Sequence, residues 1–289
     1  MFTRQKVLLA FLQAANRPVG RMELTKWSFL LRNETTSAGG SAFFDFVPYH
    51  YGPFSFSLYQ EAGKLDDIGL LRSDGDQWAI GSTSSPNLAG AALNRDVATI
   101  VRKFSSWKID SLIDYVYERY PAFTVHSKRK RLTEKTVAKP GIYTCGYEGQ
   151  SVDAFLNELV ASGIQRLIDV RMNPVARRYG FHKSTLGKLC EKLEIEYVHV
   201  PELGIASELR QGLSNQAAYD TLFEKYRDRT LKQEHEAIGH VCELVQSKPS
   251  VLVCMEHEAC RCHRSHLADA VSLKTGLAVN HLRQEDAAV

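Results

Sequence analysis

The chain has 289 residues, 44% of them hydrophobic and 24% charged, a size above one average domain and a composition that excludes a disordered, collagen-like or disulfide-framed protein. No apolar run approaches the roughly 20 residues needed to cross a bilayer, and the amino terminus lacks a signal-peptide pattern, so a cytoplasmic protein without membrane association is expected. The net charge of +3 is uneven, with 18 basic against 13 acidic residues up to Val137 and 18 against 20 beyond it.

Arg4 to Ala15 and Arg21 to Leu31 carry apolar side chains at helical spacing across an Asn16-Arg17-Pro18-Val19-Gly20 turn, a helix-turn-helix cadence. A Gly/Ser/Thr loop leads into Phe43 to Tyr51, and Phe54 to Leu65 reads as a third helix. Leu70 to Ile80, with Asp74-Gly75-Asp76 at its middle, reads as a hairpin in the wing position of a winged helix. Helices at Asn94 to Phe104 and Ile109 to Tyr117 complete a first, mostly helical, winged-helix-like domain over 1–137.

Pro121 to Pro140 has no strong periodicity and holds Lys128-Arg129-Lys130-Arg131, a run suited to nucleic-acid phosphates or to a solvated linker. Beyond it the pattern changes. Gly141 to Cys145, Arg166 to Val170, Glu196 to Val200 and Pro249 to Cys254 are strand-like. They alternate with helical stretches at Val152 to Ala161, Ser184 to Leu193, Ala217 to Tyr226, Leu231 to Val245 and Arg264 to Ser272. This predicts a Rossmann-like α/β domain over 138–289 with a mostly parallel sheet.

Ligands of open parallel sheets bind beyond the carboxyl ends of the strands. The first strand delivers Gly146, Tyr147 and Glu148 there, the second Asp169, Arg171 and Asn173-Pro174, the third Glu202, and the last Cys254 to Arg264. The last segment holds Cys254, Glu256, His257, Cys260, Cys262, His263 and Arg264, and three readings of it stay open. Its sulfur and nitrogen suffice for zinc, although the spacing matches no standard finger. A thiol beside a helix amino terminus and arginines favours the thiolate, as in phosphatase and rhodanese loops, although Cys254 lacks an arginine six residues on. The third reading is packing, with a Glu256–Arg264 ion pair. In a functional reading Asp169 and Glu256 handle protons, Cys254, Cys262 and His263 act as thiolate or ligand, and Arg171, Arg177 and Arg264 bind an anion beside Gly146, Tyr147, Glu148 and Glu202.

The carboxy-terminal half resembles the family known as domain of unknown function 488. The resemblance is carried by Tyr143-Thr144-Cys145-Gly146-Tyr147, Leu167-Ile168-Asp169-Val170-Arg171, Glu196 to Gly204, and the Cys254-x-Glu256 then Cys262-His263-Arg264 pattern. The first half resembles the SocA-like or Panacea domains associated with phage and toxin–antitoxin systems, through Tyr49-His50-Tyr51-Gly52-Pro53-Phe54 and Gly69-Leu70-Leu71. That second likeness implies a compact module recognising DNA or protein. Together these features lead to the expectation of an enzyme acting on nucleic acid or nucleotide, in phage defence or DNA modification or repair, with its recognition module in front. The alternatives are an antitoxin-like adaptor that binds a protein through the first half, and a rhodanese-like thiol enzyme.

Overall fold

The computed structural model describes residues 1–81, 89–210 and 216–282, and the chain divides into two compact units, Met1–Lys135 and Thr136–Val289. Among the described residues no helix is long and apolar enough to cross a membrane.

In the first unit, α1 (Thr3–Ala15) buries Val7, Leu8, Leu9, Phe11 and Leu12 and ends at Asn16, whose left-handed φ of 48° turns the chain back. Strand β1 (Val19–Gly20) leads into α2 (Arg21–Glu34), which inserts Leu24, Trp27, Phe29, Leu30 and Leu31 into the same core. A short hairpin, β2 (Val47–Tyr49) with β3 (Gly52–Phe54), precedes α3 (Phe56–Asp67), which is capped by the Ser55 hydroxyl accepting from the Leu58 amide at 3.2 Å. Strands β4 (Leu71–Asp74) and β5 (Gln77–Ile80) then pair around Gly75, and β1 joins them to give a three-stranded antiparallel sheet of order β1-β5-β4. Helices α4 (Ala91–Phe104) and α5 (Ile109–Arg119) close the unit.

The Tyr-His-Tyr-Gly-Pro-Phe segment has a local explanation. Gly52 has a φ of +85°, and a Cβ there would lie 2.8 Å from the Tyr117 ring, so only glycine fits. The ammonium of Lys26, 2% exposed, donates to the Pro53 carbonyl at 2.8 Å and holds this turn against α2. Phe43, Phe44, Phe46 and Phe56, which a protein-binding surface would need exposed, are all buried.

The second unit is an α/β fold. Strand β6 (Ile142–Gly146) is followed by α6 (Val152–Ala161), β7 (Arg166–Asp169), α7 (Lys183–Lys192) and β8 (Glu196–His199). Short 3-10 turns at Pro201–Leu203 and Ser207–Arg210 lead towards α8 (Gln216–Lys225), which passes through a π-turn into α9 (Leu231–Gln233). Then come α10 (His235–Ser247), β9 (Ser250–Cys254), α11 (His263–Thr275) and β10 (Val279–His281). The single helix expected over Leu231 to Val245 is thus two, because Glu234 leaves helical geometry at ψ 50°.

The five strands form one sheet of order β10-β6-β9-β7-β8, and every neighbouring pair is parallel. Strand β9, late in the chain, lies between β6 and β7, and all five of its residues are buried. Ile142, Ile168 and Leu252 face α10 and α11, where they pack with Ile238, Val241, Leu267 and Val271. Because strand side chains alternate, Cys254 lies on that same face and Asp169 on the other.

Burial draws the Lys26 ammonium down to about 7. An unfolded lysine titrates near 10.4, so between these values the unfolded chain binds the extra proton and stability rises with pH; below about 7 the burial penalty is fully present. All three tryptophans, Trp27, Trp78 and Trp107, lie in the first unit, so their fluorescence follows its unfolding. In urea, the wild-type midpoint should gain on that of Lys26→Met as the pH is raised from 6.5 to 9. Parallel pH profiles would refute this assignment.

Candidate active site

The site begins where β9 ends. The chain must turn at Cys254 beside the end of β6, and it passes so close that a Cβ on Gly146 would lie 1.7 Å from the Glu256 carbonyl oxygen. Glycine is therefore a steric requirement of the loop. The buried Arg264 fixes the same stretch by donating from Nη1 to the Glu256 carbonyl at 2.5 Å and from Nη2 to the His257 carbonyl at 2.8 Å. Glu148 closes the other side: its amide donates to the Met255 carbonyl at 2.9 Å and its carboxylate accepts from the His257 amide at 3.0 Å.

This clamped loop brings four side chains together. Cys254 at the strand end and Cys262 at the start of α11 each place Sγ 3.0 Å from Oε2 of Glu256. Nδ1 of His263, the first residue of α11, lies 3.7 Å from the first sulfur and 3.9 Å from the second. Arg210 enters from the 3-10 turn after β8. Its Nη1 meets Glu256 Oε1 at 2.8 Å, and its Nη2 lies 3.8 Å from the Cys254 sulfur and 3.2 Å from His263 Nδ1.

Burial raises the Glu256 carboxyl, and the charge of Cys254 raises it further despite Arg210. Burial also opposes ionisation of both thiols. For Cys254 the Cys262 thiol, His263 and Arg210 outweigh it, holding this sulfur well below the ordinary thiol range. For Cys262 burial prevails, reinforced by Cys254 and Glu256, and its thiol stays well above that range.

Asp169 and Arg171 form a separate group on the opposite face of the sheet. The carboxylate accepts from Arg171 Nε at 2.8 Å and Nη2 at 2.5 Å, and from the Tyr197 hydroxyl at 2.6 Å. Arg171 also donates to the Tyr147 hydroxyl at 2.9 Å and the Phe181 carbonyl at 3.0 Å, and Tyr147 and Phe181 stack at 4.1 Å. Asp169 is fully buried and Arg171 6% exposed. Read from sequence as a proton-handling group and an anion clamp, they face each other instead and hold the segment whose Val170 carbonyl lies 3.1 Å from His263 Nε2. Arg264 likewise meets backbone carbonyls, and it does not form the ion pair with Glu256 that the packing reading assigned to it; Arg210 does.

Arg177 and Glu202 are exposed and share no hydrogen bond or ion pair with either group among the described residues. Cys260 is also exposed, with its sulfur 3.9 Å from Glu258. In the basic run, Arg129 lies against Asp110 and Asp114, while Lys128, Lys130 and Arg131 face solvent. Arg210 was missed from the sequence because its partners lie 44 to 53 residues away and no local pattern marks it.

Glu256, Cys262, His263 and Arg210 open onto a small recess of about 20 Å³, walled by Ile205, Tyr219, Leu222 and Phe223 and lined also by Arg261. Fold and site together define a parallel α/β unit with a Cys–Glu–Cys–His centre at the carboxyl edge of its sheet. Residues 151–271, within the second unit, match the family model described as Domain of unknown function DUF488. Comparisons with curated proteins and with solved structures find no match.

Replacing Asp169 with Asn leaves the buried Arg171 guanidinium without its carboxylate, a change worth about 3–5 kcal/mol where a buried pair is broken. Chemical denaturation followed by far-ultraviolet circular dichroism should show a loss of that size. A loss below about 1 kcal/mol would mean that Arg171 does not depend on this partner.

Proposed function

We propose that the second unit is an enzyme of hydrolase or transferase type acting on nucleic acid or a nucleotide, with Glu256 as its proton-transfer group. The cavity carries this reading. It combines an aromatic and aliphatic wall with Glu256, His263 and two arginines. Aromatic side chains beside guanidinium groups suit a planar base attached to phosphate. The enclosed space is about 20 Å³, room for about one water-sized group beside Glu256, so a base would rest against the mouth of the recess with the remainder of a larger substrate outside.

In this reading the first unit is a winged-helix-like recognition module, in keeping with its likeness to SocA-like or Panacea domains, and the basic run supplies phosphate contacts. The Ser127 hydroxyl accepts the amides of Arg129 and Lys130 at 3.1 and 3.2 Å, a turn that leaves Lys128, Lys130 and Arg131 exposed. The thiol-enzyme alternative has less support. Cys254, whose thiol is held below the ordinary range, is fully buried, and the Cys262 thiol that lines the cavity is pushed above that range by burial. For the adaptor alternative, Phe43, Phe44, Phe46 and Phe56 lie in the core of the first unit, which leaves Tyr51 exposed and Tyr49 and Phe54 half-buried in the segment that would form its aromatic surface.

Fluorescence anisotropy with labelled single- and double-stranded DNA and RNA should give affinities that fall with salt. Replacing Lys128, Lys130 and Arg131 together by Ala should flatten the logarithmic salt slope by about 2–3. Mass spectrometry of the same oligonucleotides and of a nucleotide mixture should show a product with the wild type and none with Glu256→Gln. Salt-independent or absent binding, with no mass change in either pool, would sink the proposal.

A further inference from the structure

We propose that Cys254, Cys262 and His263 bind a single divalent metal ion of the zinc class, with Glu256 on the side that opens to the cavity. The inference deepens the reading of this cluster as the reacting centre and rests on it. Its first support is metric. With Zn–S near 2.3 Å and Zn–N near 2.0–2.1 Å, a tetrahedral ion holds each sulfur about 3.5–3.6 Å from the ligating nitrogen and the two sulfurs about 3.8 Å apart. The two sulfur–nitrogen separations are 3.7 and 3.9 Å, and the three ligand atoms lie within 4.8 Å of one another. Closing the sulfur pair by at most about 1 Å completes the geometry.

The second support is the orientation of the imidazole. A carbonyl can only accept, so the 3.1 Å contact between His263 Nε2 and the Val170 oxygen puts the ring proton on Nε2. In the neutral ring that a metal ion requires, Nδ1 then presents its lone pair to both sulfurs. Arg210, which has only donors, approaches the same Nδ1 at 3.2 Å, in agreement with an acceptor there. An outer N–H bonded to a backbone carbonyl is the arrangement that fixes metal-ligating histidines.

The third support is charge. Two buried thiols, an imidazole lone pair and a carboxylate converge on one point, and the group that already approaches three of them is the guanidinium of Arg210. The cluster attracts a cation. Its sulfur and nitrogen donors select the zinc class over magnesium or calcium. When the ion binds, Arg210 leaves Nδ1 and keeps its ion pair with Glu256.

Three protein ligands beside an open side are the pattern of a catalytic rather than a structural zinc site, where a bound water ionises near neutral pH. One His and two Cys with a neighbouring Glu that is not a ligand is also the donor set that zinc deaminases direct at a nucleobase. Of the five Cys and His residues in the loop, the structure selects these three, leaving His257 and the exposed Cys260 outside the set.

The test uses the full chain, dialysed against a weak chelator and then titrated with Zn²⁺ and Co²⁺. About one ion per chain is expected, and the Co²⁺ form should show a near-ultraviolet thiolate-to-cobalt charge-transfer band. Cys254→Ser, Cys262→Ser and His263→Ala should each weaken binding more than about 100-fold, beyond the loss known for outer partners, while Cys260→Ser leaves it unchanged. A wild type folded by circular dichroism that takes up neither ion overturns the proposal, whatever the variants do. A charge-transfer band that persists undiminished in Cys262→Ser, or disappears in Cys260→Ser, overturns the ligand set. Metal content is read without substrate: an ion bound with no action on nucleic acid or nucleotide would sink the functional reading alone, and the reverse result would sink this one alone.

Discussion

A guanidinium buried among backbone carbonyls organises the second unit. Arg264 is 1% exposed, and its two terminal nitrogens go to the carbonyls of Glu256 and His257. A buried positive charge that meets only carbonyl dipoles remains available to its surroundings, because dipoles solvate a cation without neutralising it. Its charge reaches the side chains of the loop, where Arg264 is among the influences that favour the Cys262 thiolate. The residue therefore sets both the path of the loop and the electrostatic setting of the side chains the loop carries. Gly146 completes the constraint, since the path exists only where no Cβ stands in it.

Much of the fold is legible in the sequence because the second unit alternates short Val/Ile/Leu runs with amphipathic stretches, and helices packed over a sheet require that alternation. The elements that escape are the shortest. Strands β1, β2, β3 and β10 have two or three residues each, too few to display a period of two. The strand order escapes for another reason: that β9 lies between β6 and β7 is decided by packing across the sheet, not by any pattern within β9.

The candidate site divides in the same way. Cys254, Glu256, Cys262 and His263 stand out because they crowd the turn between a buried strand and a helix, where ligands of parallel sheets bind. Asp169 and Arg171 occupy an equivalent place after β7 and invite the same interpretation. Their spacing of two residues at a strand end puts both side chains on one face, where they satisfy each other. Burial separates the two cases, and burial is not written in residue identity. The basic run shows the limit again: four consecutive cations look alike in sequence, yet Asp110 and Asp114 on α5 engage Arg129.

The place of β9 has a consequence for how the protein is made. A chain synthesised from its amino end presents β6, β7 and β8 well before residues 250–254 leave the ribosome, and β6 cannot pair with β7 because neither is the other's neighbour in the finished sheet. The nascent second unit must therefore wait with three strand edges open, both of β6 and one of β7, a state prone to misassociation until the last segments arrive. The first unit carries no such dependence on later sequence, because its core and its sheet are assembled from residues before Thr136. The centre formed by Cys254, Glu256, Cys262 and His263 is then among the last parts of the molecule to exist, and no truncated product ending before β9 can contain it.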